Sequence, residues 1–191
     1  MAELFANNTI SKSYADHMKK EHHGSKWGST GYRYSGAVVE KLISERPYLQ
    51  TALDYGCGKG ELAKNFTELD WQEYDPGIPG KQEKPKGIYD LVTCTDVMEH
   101  IEHEYLGEVI RELGQYTAKV LFVDIACYRT DKLFAEGPYK GQDMHITTEA
   151  PKFWKKLFVQ HVGLQLLESV EIEKLSKGKI KQRLQLTYER V

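Results

Sequence analysis

The chain has 191 residues, of which 28% are charged and 40% hydrophobic, and its formal net charge is −2. This composition is typical of one globular domain with a real core, and it argues against a protein whose main work is coating nucleic acid. No apolar run approaches the roughly 20 residues that a membrane span requires, and residues 1–8 lack the basic and apolar regions of a signal peptide. We therefore expect a cytoplasmic protein without a membrane partner.

The first part of the chain differs in composition from the rest. Residues 1–34 show little periodicity but carry many aromatic, histidine and glycine residues, more than a solvated tail would. We expect residues 1–34 to form an irregular arm that packs back on the body, as a lid over a site. Residues 35–191 are predicted to form a single domain, which begins with an amphipathic helix over 36–46 that ends at Pro47.

A glycine-rich turn is the first chemical signal along the chain. Residues 51–55 have the pattern of a strand, and Gly56, Gly58 and Gly60 follow at every second position before a short helix over 60–66. Glycines remove the Cβ atoms that would hold a ligand away, allow positive φ and bring backbone N–H groups up to it. A tight turn between a strand and a helix also uses this pattern without any ligand, so the turn alone leaves both interpretations open.

An acid after the second strand is the next signal. A strand over 71–74 ends at Asp75-Pro76, nineteen residues after Gly56. In nucleotide-binding α/β units a carboxylate at this spacing accepts hydrogen bonds from ribose hydroxyls. An Asp-Pro pair also forms turns. The spacing of the two signals together favours the nucleotide-binding interpretation.

The remaining elements complete an α/β pattern. Buried-type strands are predicted over 89–95 and 119–126, a helix with one apolar stripe over 106–113, and a helix that Thr147 or Thr148 caps and that has Pro151 in its first turn. Two alternating segments, 164–174 and 180–189, predict an antiparallel hairpin. The fold class is therefore α/β, with a mainly parallel sheet, helices on both of its faces and a C-terminal antiparallel hairpin.

Polar residues follow several of these strands. In such sheets, ligands bind beyond the carboxyl ends of the strands. We therefore expect the polar residues that follow the strands to meet at one edge of the sheet, its rim. These residues are 54–60, 75, 95–100 and the segment from Cys127 onward.

With these motifs, the chain resembles the class I S-adenosylmethionine-dependent methyltransferases, which have a Rossmann-like fold. The resemblance covers residues 36–191. The segments that match are the glycine turn (53–60), Asp75, the strand residues 89–92, the segment 96–101 and the C-terminal hairpin. Within this class, residues 74–80 followed by residues 96–100 are similar to a group of small methyltransferases from bacteria and their phages. The family usually has a further strand and two helices between the ribose acid and the strand at 89–95. Only fourteen residues separate Asp75 from Asp90 here, so the region is shortened and the loop 77–87 is a candidate for the adenine contact.

The resemblance implies S-adenosylmethionine as the cofactor and S-adenosylhomocysteine as the product. The methionine part would lie over Gly56 and Gly58, and the ribose hydroxyls on Asp75. Thr95 and Asp96 would lie near the adenine or the sulfonium. The expected cofactor-binding set is Asp54, Gly56, Cys57, Gly58, Asp75, Pro76, Thr95 and Asp96.

The segment after the strand at 89–95 supplies the candidate catalytic residues. Asp96, Glu99 and His100 share one face if this segment is helical, and His145 follows another strand end. We expect Glu99, His100 and His145 to be catalytic. Two acids and two histidines could also hold a divalent metal such as Mg²⁺ or Mn²⁺, which would make Asp96 a ligand with the other three. This arrangement is similar to that of the small-RNA 3′-end 2′-O-methyltransferases. In two other interpretations His100 alone is the general base, or Glu99 and His100 only shape the loop.

The expected activity is S-adenosylmethionine-dependent methylation, on an oxygen in preference to a nitrogen, of a small molecule or a nucleic-acid end. One alternative is a metal-dependent enzyme like the RNA 3′-end 2′-O-methyltransferases. The other is a non-catalytic cofactor-binding protein that regulates a partner. The segment 127–130 and the aromatic residues within 14–34 are candidates for the acceptor pocket and its lid.

Overall fold

The computed structural model describes residues 9–22, 28–29, 31–176 and 178–191. These residues form a six-stranded sheet in the order β2-β1-β3-β4-β6-β5. The strands are β1 (Thr51–Tyr55), β2 (Asp70–Tyr74), β3 (Tyr89–Thr95), β4 (Thr117–Ala126), β5 (Gln165–Ser176) and β6 (Lys179–Glu189). Strands β1 to β4 are parallel, whereas β6 is antiparallel to both β4 and β5. The predicted fold class and hairpin are confirmed.

The helices are α1 (Lys12–His22), α2 (Gly31–Ser44), α3 (Glu61–Asn65), α4 (Leu106–Tyr116) and α5 (Pro151–His161). Two single 3₁₀ turns, Met98–His100 and His103–Tyr105, lie between β3 and α4. None of the helices in the described ranges is long and apolar enough to cross a membrane.

The N-terminal part of the chain is more regular than we predicted. Residues 12–22 are helical instead of irregular, and α2 begins at Gly31 instead of residue 36. In α1, Tyr14 and Met18 lie one turn apart and are both buried in a small cluster with Phe134. Because this packing partner is distant in the chain, the helix depends on tertiary contacts that local periodicity does not reveal. Residues 1–8, 23–27 and 30 of the predicted arm lie outside the described residues.

The alternation of side chains along the strands places one core on each face of the sheet. In β4, Val120 and Phe122 face the cluster formed with α2 and α3, and Leu121 and Val123 face the cluster formed with α4 and α5. The parallel strands are apolar on both faces because helices cover both. The carboxyl ends of β1 to β4 consequently meet at one uncovered edge.

The start of α5 differs from the prediction. Ala150 occupies the N-cap position and makes no side-chain capping bond, and Pro151 begins the helix. The Thr147 hydroxyl donates to the Ile101 carbonyl at 2.6 Å, and the Thr148 hydroxyl donates to the His145 carbonyl at 3.1 Å. The predicted threonine cap is therefore wrong, because both hydroxyls hold the neighbouring loops instead.

The connection between β2 and β3 is short. Residues 75–88 contain no helix and no strand, and β2 lies at the edge of the sheet. The predicted shortening of the chain between Asp75 and the strand at 89–95 is therefore confirmed.

Two glycines of α4 provide a matched test of how closely α4 packs on the end of α5. A Cβ atom at Gly114 would lie 2.0 Å from the backbone carbonyl oxygen of Val162, whereas at Gly107 it would lie 3.2 Å from the movable His161 ring. We expect Gly114→Ala to lower the free energy of unfolding by about 1–3 kcal/mol through overpacking. Gly107→Ala is expected to be neutral or to raise it by up to about 1 kcal/mol, since alanine favours helix. Urea denaturation measures both, and equal stabilities would contradict this packing.

Candidate active site

The glycine turn after β1 is closely packed from two sides. Gly56 has a φ of 76°, and a Cβ atom there would lie 2.3 Å from the Val97 side chain. Gly58 has a φ of 52°, and a Cβ atom there would lie 2.4 Å from the Gly28 carbonyl oxygen. Both positions therefore require glycine for backbone conformation and for space.

The backbone donors of the turn are used inside the protein. The N–H groups of Gly56 and Cys57 both donate to the Tyr74 carbonyl, at 2.7 and 3.1 Å, and that of Gly60 donates to the Cys57 carbonyl. We expected these groups to face a ligand, and that expectation is wrong. The donors instead fix the turn to the end of β2, and the absent side chains leave room beside it.

Asp75 ties the glycine turn to the loop that follows β2. Its Oδ2 accepts the Gly58 N–H at 2.9 Å and its Oδ1 accepts the Gly77 N–H at 2.8 Å. The side chain is buried, and it nevertheless forms part of the wall of the cavity beside the turn. Each carboxylate oxygen has a second lone pair with which it can accept another donor.

A cavity of about 460 Å³ opens at the carboxyl edge of the sheet. Of the residues singled out in the sequence, its wall includes Gly56, Gly58, Asp75, Pro76, Asp96, His100 and His145. Its wall does not include Asp54, Cys57, Thr95 or Glu99, which are all buried. Seven of the predicted residues therefore meet at this cavity, as expected, and four do not reach its wall.

The far side of the cavity is formed by α1 and by the segment 128–145. Tyr14 and Met18 of α1 line it together with Tyr128 and Met144, and Met144 packs against the cluster of Tyr14 and Met18. The start of α1 is held to the body through Ser11, whose N–H and hydroxyl both donate to Glu102, at 2.8 and 2.7 Å. Part of the predicted arm thus covers the cavity as a helix.

Glu99 lies buried next to His100 and His145, which line the cavity. One carboxylate oxygen and one nitrogen of each ring lie within 4.8 Å of one another. The Nδ1 atoms of His100 and His145 lie 2.7 and 2.6 Å from the carbonyl oxygens of Met144 and Tyr128. Because a carbonyl oxygen can only accept, both Nδ1 atoms carry the proton and both Nε2 atoms carry the lone pair.

Burial decides the charge state of this cluster. Burial lowers the pKa of His100, and it lowers the pKa of His145 to about 4, so both rings are neutral at physiological pH. Burial, together with the charge of Asp96, raises the pKa of Glu99 well above its ordinary value. Glu99 accepts the Ala126 N–H through Oε1 at 3.0 Å, while its Oε2 has no hydrogen-bond partner among the described residues.

Asp96 does not join this cluster. The segment is not helical at Asp96, which has a φ of 61°, and its carboxylate lies 2.9 Å from the Arg183 guanidinium. The same guanidinium lies 2.7 Å from Asp124, to which Ser35 and Gln185 also donate. Although burial opposes it, Asp124 and Asp96 hold the pKa of Arg183 above its ordinary value. The predicted four-residue set is therefore divided into a cluster of three and a separate ion-pair network.

The ion pairs of Arg183 with Asp124 and Asp96 are not predicted from the sequence. Tyr34, which belongs to the predicted aromatic residues within 14–34, has the Arg183 guanidinium 4.3 Å from the centroid of its ring. The sequences of β4 and β6 nevertheless contain an indication of this buried ion pair. Asp124 is an acid among the apolar residues 120–126 of β4, and Arg183 precedes the buried Leu184 and Leu186 of β6. Since a charged residue is rarely buried unless it is paired, an acid within a central strand indicates a buried partner.

The fold and the site define a class I S-adenosylmethionine-dependent methyltransferase. The parallel sheet with its antiparallel hairpin, the glycine turn and the acid after β2 are the features of that class. Residues 30–169 match the model of the methyltransferase domain, so the chain belongs to the methyltransferase-domain family. Comparison with curated protein sequences finds no match.

Solved structures with the same fold include three methyltransferases with low sequence identity. A SAM-dependent methyltransferase from Leishmania major has a TM-score of 0.62 and 16% identity over 97% of this chain and 88% of that one. The Burkholderia thailandensis 1,6-didemethyltoxoflavin N1-methyltransferase, bound to its acceptor and S-adenosylhomocysteine, has a TM-score of 0.60 and 13% identity over 93% and 87% of the two chains. The magnesium protoporphyrin IX methyltransferase from Synechocystis, with bound S-adenosylhomocysteine, has a TM-score of 0.58 and 14% identity over 94% and 95%.

Asp54 gives a test of the electrostatics behind the glycine turn. Burial raises the pKa of Asp54 to about 7, and the hydrogen bond from Thr93 offsets this only in part. The carboxylate form therefore destabilises the folded state increasingly as the pH rises from about 4 to about 7. We expect Asp54→Asn to raise the free energy of unfolding by about 1–3 kcal/mol at pH 8, and to lose this advantage towards pH 4.

Urea denaturation of the cofactor-free protein at several pH values measures the effect. Asp70→Asn, which changes an exposed acid of β2, is the control and should leave the pH dependence unchanged. An effect of Asp54→Asn on the free energy of unfolding that is the same at pH 5 and pH 8 would contradict the raised pKa of Asp54.

Proposed function

We propose that the protein methylates a hydroxyl oxygen of a small molecule, with the cofactor at the glycine-turn half of the cavity and the acceptor at the half beneath α1. The observation that carries the proposal is the pair of neutral histidines, His100 and His145, on the cavity wall. Each ring is fixed by a backbone carbonyl in the tautomer that leaves Nε2 as an acceptor. A hydroxyl needs such a group because its proton must leave during methyl transfer.

The cofactor half fits a nucleoside with a polar sugar. Gly56 and Gly58 present backbone without side chains, and Asp75 presents a carboxylate at the wall. Asp75 would accept hydrogen bonds from the ribose hydroxyls. Pro76 and Gly77, which also line the cavity, would lie along the adenine side. S-adenosylmethionine supplies the methyl group there as part of a sulfonium.

The acceptor half supports a small molecule over a long RNA. Its wall includes Tyr14, Met18, Tyr128 and Met144, and Met144 packs against the cluster of Tyr14 and Met18. Such a wall excludes water, which strengthens the positioning of an acceptor against the cofactor. The chain has a net charge of −2, and RNA-binding proteins usually present a dominant basic surface.

The cofactor site is tested with Asp75→Ala. We expect the affinity for S-adenosylmethionine in isothermal titration calorimetry to fall about 10- to 100-fold, because hydrogen bonds to a charged group are lost and the Gly58 and Gly77 donors lose their acceptor. Asp70→Ala, at the exposed start of the same strand, is the matched control and should bind as the wild type does. Wild-type affinity in Asp75→Ala, with both variants folded by circular dichroism, would contradict this site.

The acceptor is tested by incubating the protein and methyl-labelled S-adenosylmethionine with separate metabolite and RNA fractions. We expect label in the small-molecule fraction, in an O-methyl group by mass spectrometry and NMR. His145→Ala should reduce the rate about 100-fold through loss of the base, whereas His103→Ala, at an exposed histidine, should not. Label at RNA 3′ ends would instead support the alternative enzyme class, and label on nitrogen would contradict O-methylation.

A further inference from the structure

The edge strand β5 is exposed along almost its whole length. It lies at one end of the strand order, and the side chains of residues 165–175 are all exposed, on both faces of the strand. Natural edge strands are usually short or covered, because their free backbone groups can pair with another chain. The other edge strand, β2, has only five residues, whereas β5 has twelve. The outer edge of β5 is therefore long enough to take a further strand.

The register of the sheet shows which backbone groups of β5 face outward. The N–H of Cys127, just after β4, donates to the Gln182 carbonyl, so the even-numbered residues of β6 turn their backbone groups toward β4. The odd-numbered residues of β6 turn theirs toward β5. There they oppose even-numbered residues of β5, as Arg183 opposes Ile172. The N–H and C=O groups of the odd-numbered residues 169, 171 and 173 consequently point outward from the edge.

We propose that β5 pairs antiparallel with β5 of a second copy of this chain, with Glu171 of the two copies opposite each other on a two-fold axis. In two identical antiparallel strands only residues of the same parity can oppose each other, since the same residues turn their backbone outward in both. With the axis at Glu171, Val170 opposes Ile172 of the partner subunit. Glu168 opposes Lys174 of the partner subunit in the same way.

The apolar residues of β5 match in this register. Val170 and Ile172 lie on the same face of the strand and are 39% and 38% exposed. Because the odd-numbered residues form the hydrogen-bonded pairs, Val170 and Ile172 form non-hydrogen-bonded pairs, in which the side chains are closest. Pairs of β-branched residues fit this arrangement well. Pairing would therefore cover four exposed apolar side chains, two from each copy.

The charged residues of β5 match as well. Charges along an edge strand normally keep other strands away. Neither Glu168 nor Lys174 has an ion pair within the described part of the chain, and pairing would place them directly across from each other twice. The two like charges at the axis are compensated within each copy, because Nζ of Lys155 lies 2.6 Å from Glu171.

Neighbouring registers lack this match. An axis at Val170 would place Glu168 opposite Ile172, so that a charge would face an apolar side chain. An axis at Ile172 would place Glu171 opposite Glu173, which brings like charges together. The sequence of β5 is therefore complementary to itself in one register.

The arrangement also limits the size and strength of the assembly. Each copy has one β5 edge, so two-fold pairing uses both edges and closes as a dimer. Residues 169, 171 and 173 would form about six backbone hydrogen bonds across the axis. One strand pair is smaller than a standard interface of about 1,600 Å², so we expect a dissociation constant of about 1–100 μM.

The dimer is tested by sedimentation velocity between about 1 and 300 μM protein, a range that spans the expected dissociation constant. Glu168→Lys and Lys174→Glu should each raise the dissociation constant about tenfold, because like charges then oppose each other twice. The double variant should return to within about threefold of the wild type. Glu40→Lys, at an exposed acid of α2, is the matched control for the change of charge and should dimerise as the wild type does.

Glu171→Pro tests the backbone contact. Its N–H points outward, so proline there leaves the bonds between β5 and β6 intact and removes two donors at the axis. We expect the dissociation constant to rise at least about tenfold, with an unchanged circular dichroism spectrum.

Three results would overturn the proposal. These are a wild type that stays monomeric at 300 μM, a dimer that a folded Glu171→Pro variant does not weaken, and a double charge variant that dimerises no better than the two single ones. Should Glu171→Pro fail to fold, the charge variants still decide, because they change only exposed side chains. The inference does not rest on the proposed function, and every variant should bind S-adenosylmethionine as the wild type does.

Discussion

The buried guanidinium of Arg183 is the constraint on which the arrangement of the cavity depends. It comes from β6 and pairs with Asp124 inside β4 and with Asp96 just after β3. Since an unpaired buried charge costs several kcal/mol, the ends of these three strands must keep one relative position. Asp96, one of the paired acids, has a positive φ of 61° and lies at the turn that leads to Glu99 and His100. The hairpin is thus part of the floor of the site.

The cavity has two halves that are built differently. The half that we propose for the cofactor is made mainly of backbone, with the glycine turn held to the end of β2 by Tyr74 and Asp75. The half that we propose for the acceptor is made of side chains from α1 and from the segment 128–145, which are distant from each other in the chain. The half made of backbone tolerates few sequence changes. The half made of side chains can be adapted to a different acceptor by a few substitutions.

Local patterns were sufficient to predict the sheet, the hairpin and the glycine turn, because each has its own periodicity or spacing. The meeting of His145 with Glu99 and His100 was also predictable, since all three follow strand ends. Three features were not. The helix α1 depends on a distant cluster around Phe134, the N–H groups of the turn are taken by β2, and Asp96 is claimed by Arg183 from the last strand. Each depends on a partner far away in sequence, which no local window contains.

The place of β6 in the sheet has a consequence for how the protein is made. It is the last strand in the sequence, yet it lies between β4 and β5 instead of at an edge. During synthesis, β1 to β4 can pair as they emerge, but Asp96 and Asp124 stay without their cation until residues 179–189 have left the ribosome. Between the synthesis of β4 and that of β6 the nascent chain therefore carries an open edge of β4 and two acids without their cation, and this open edge can pair with another chain.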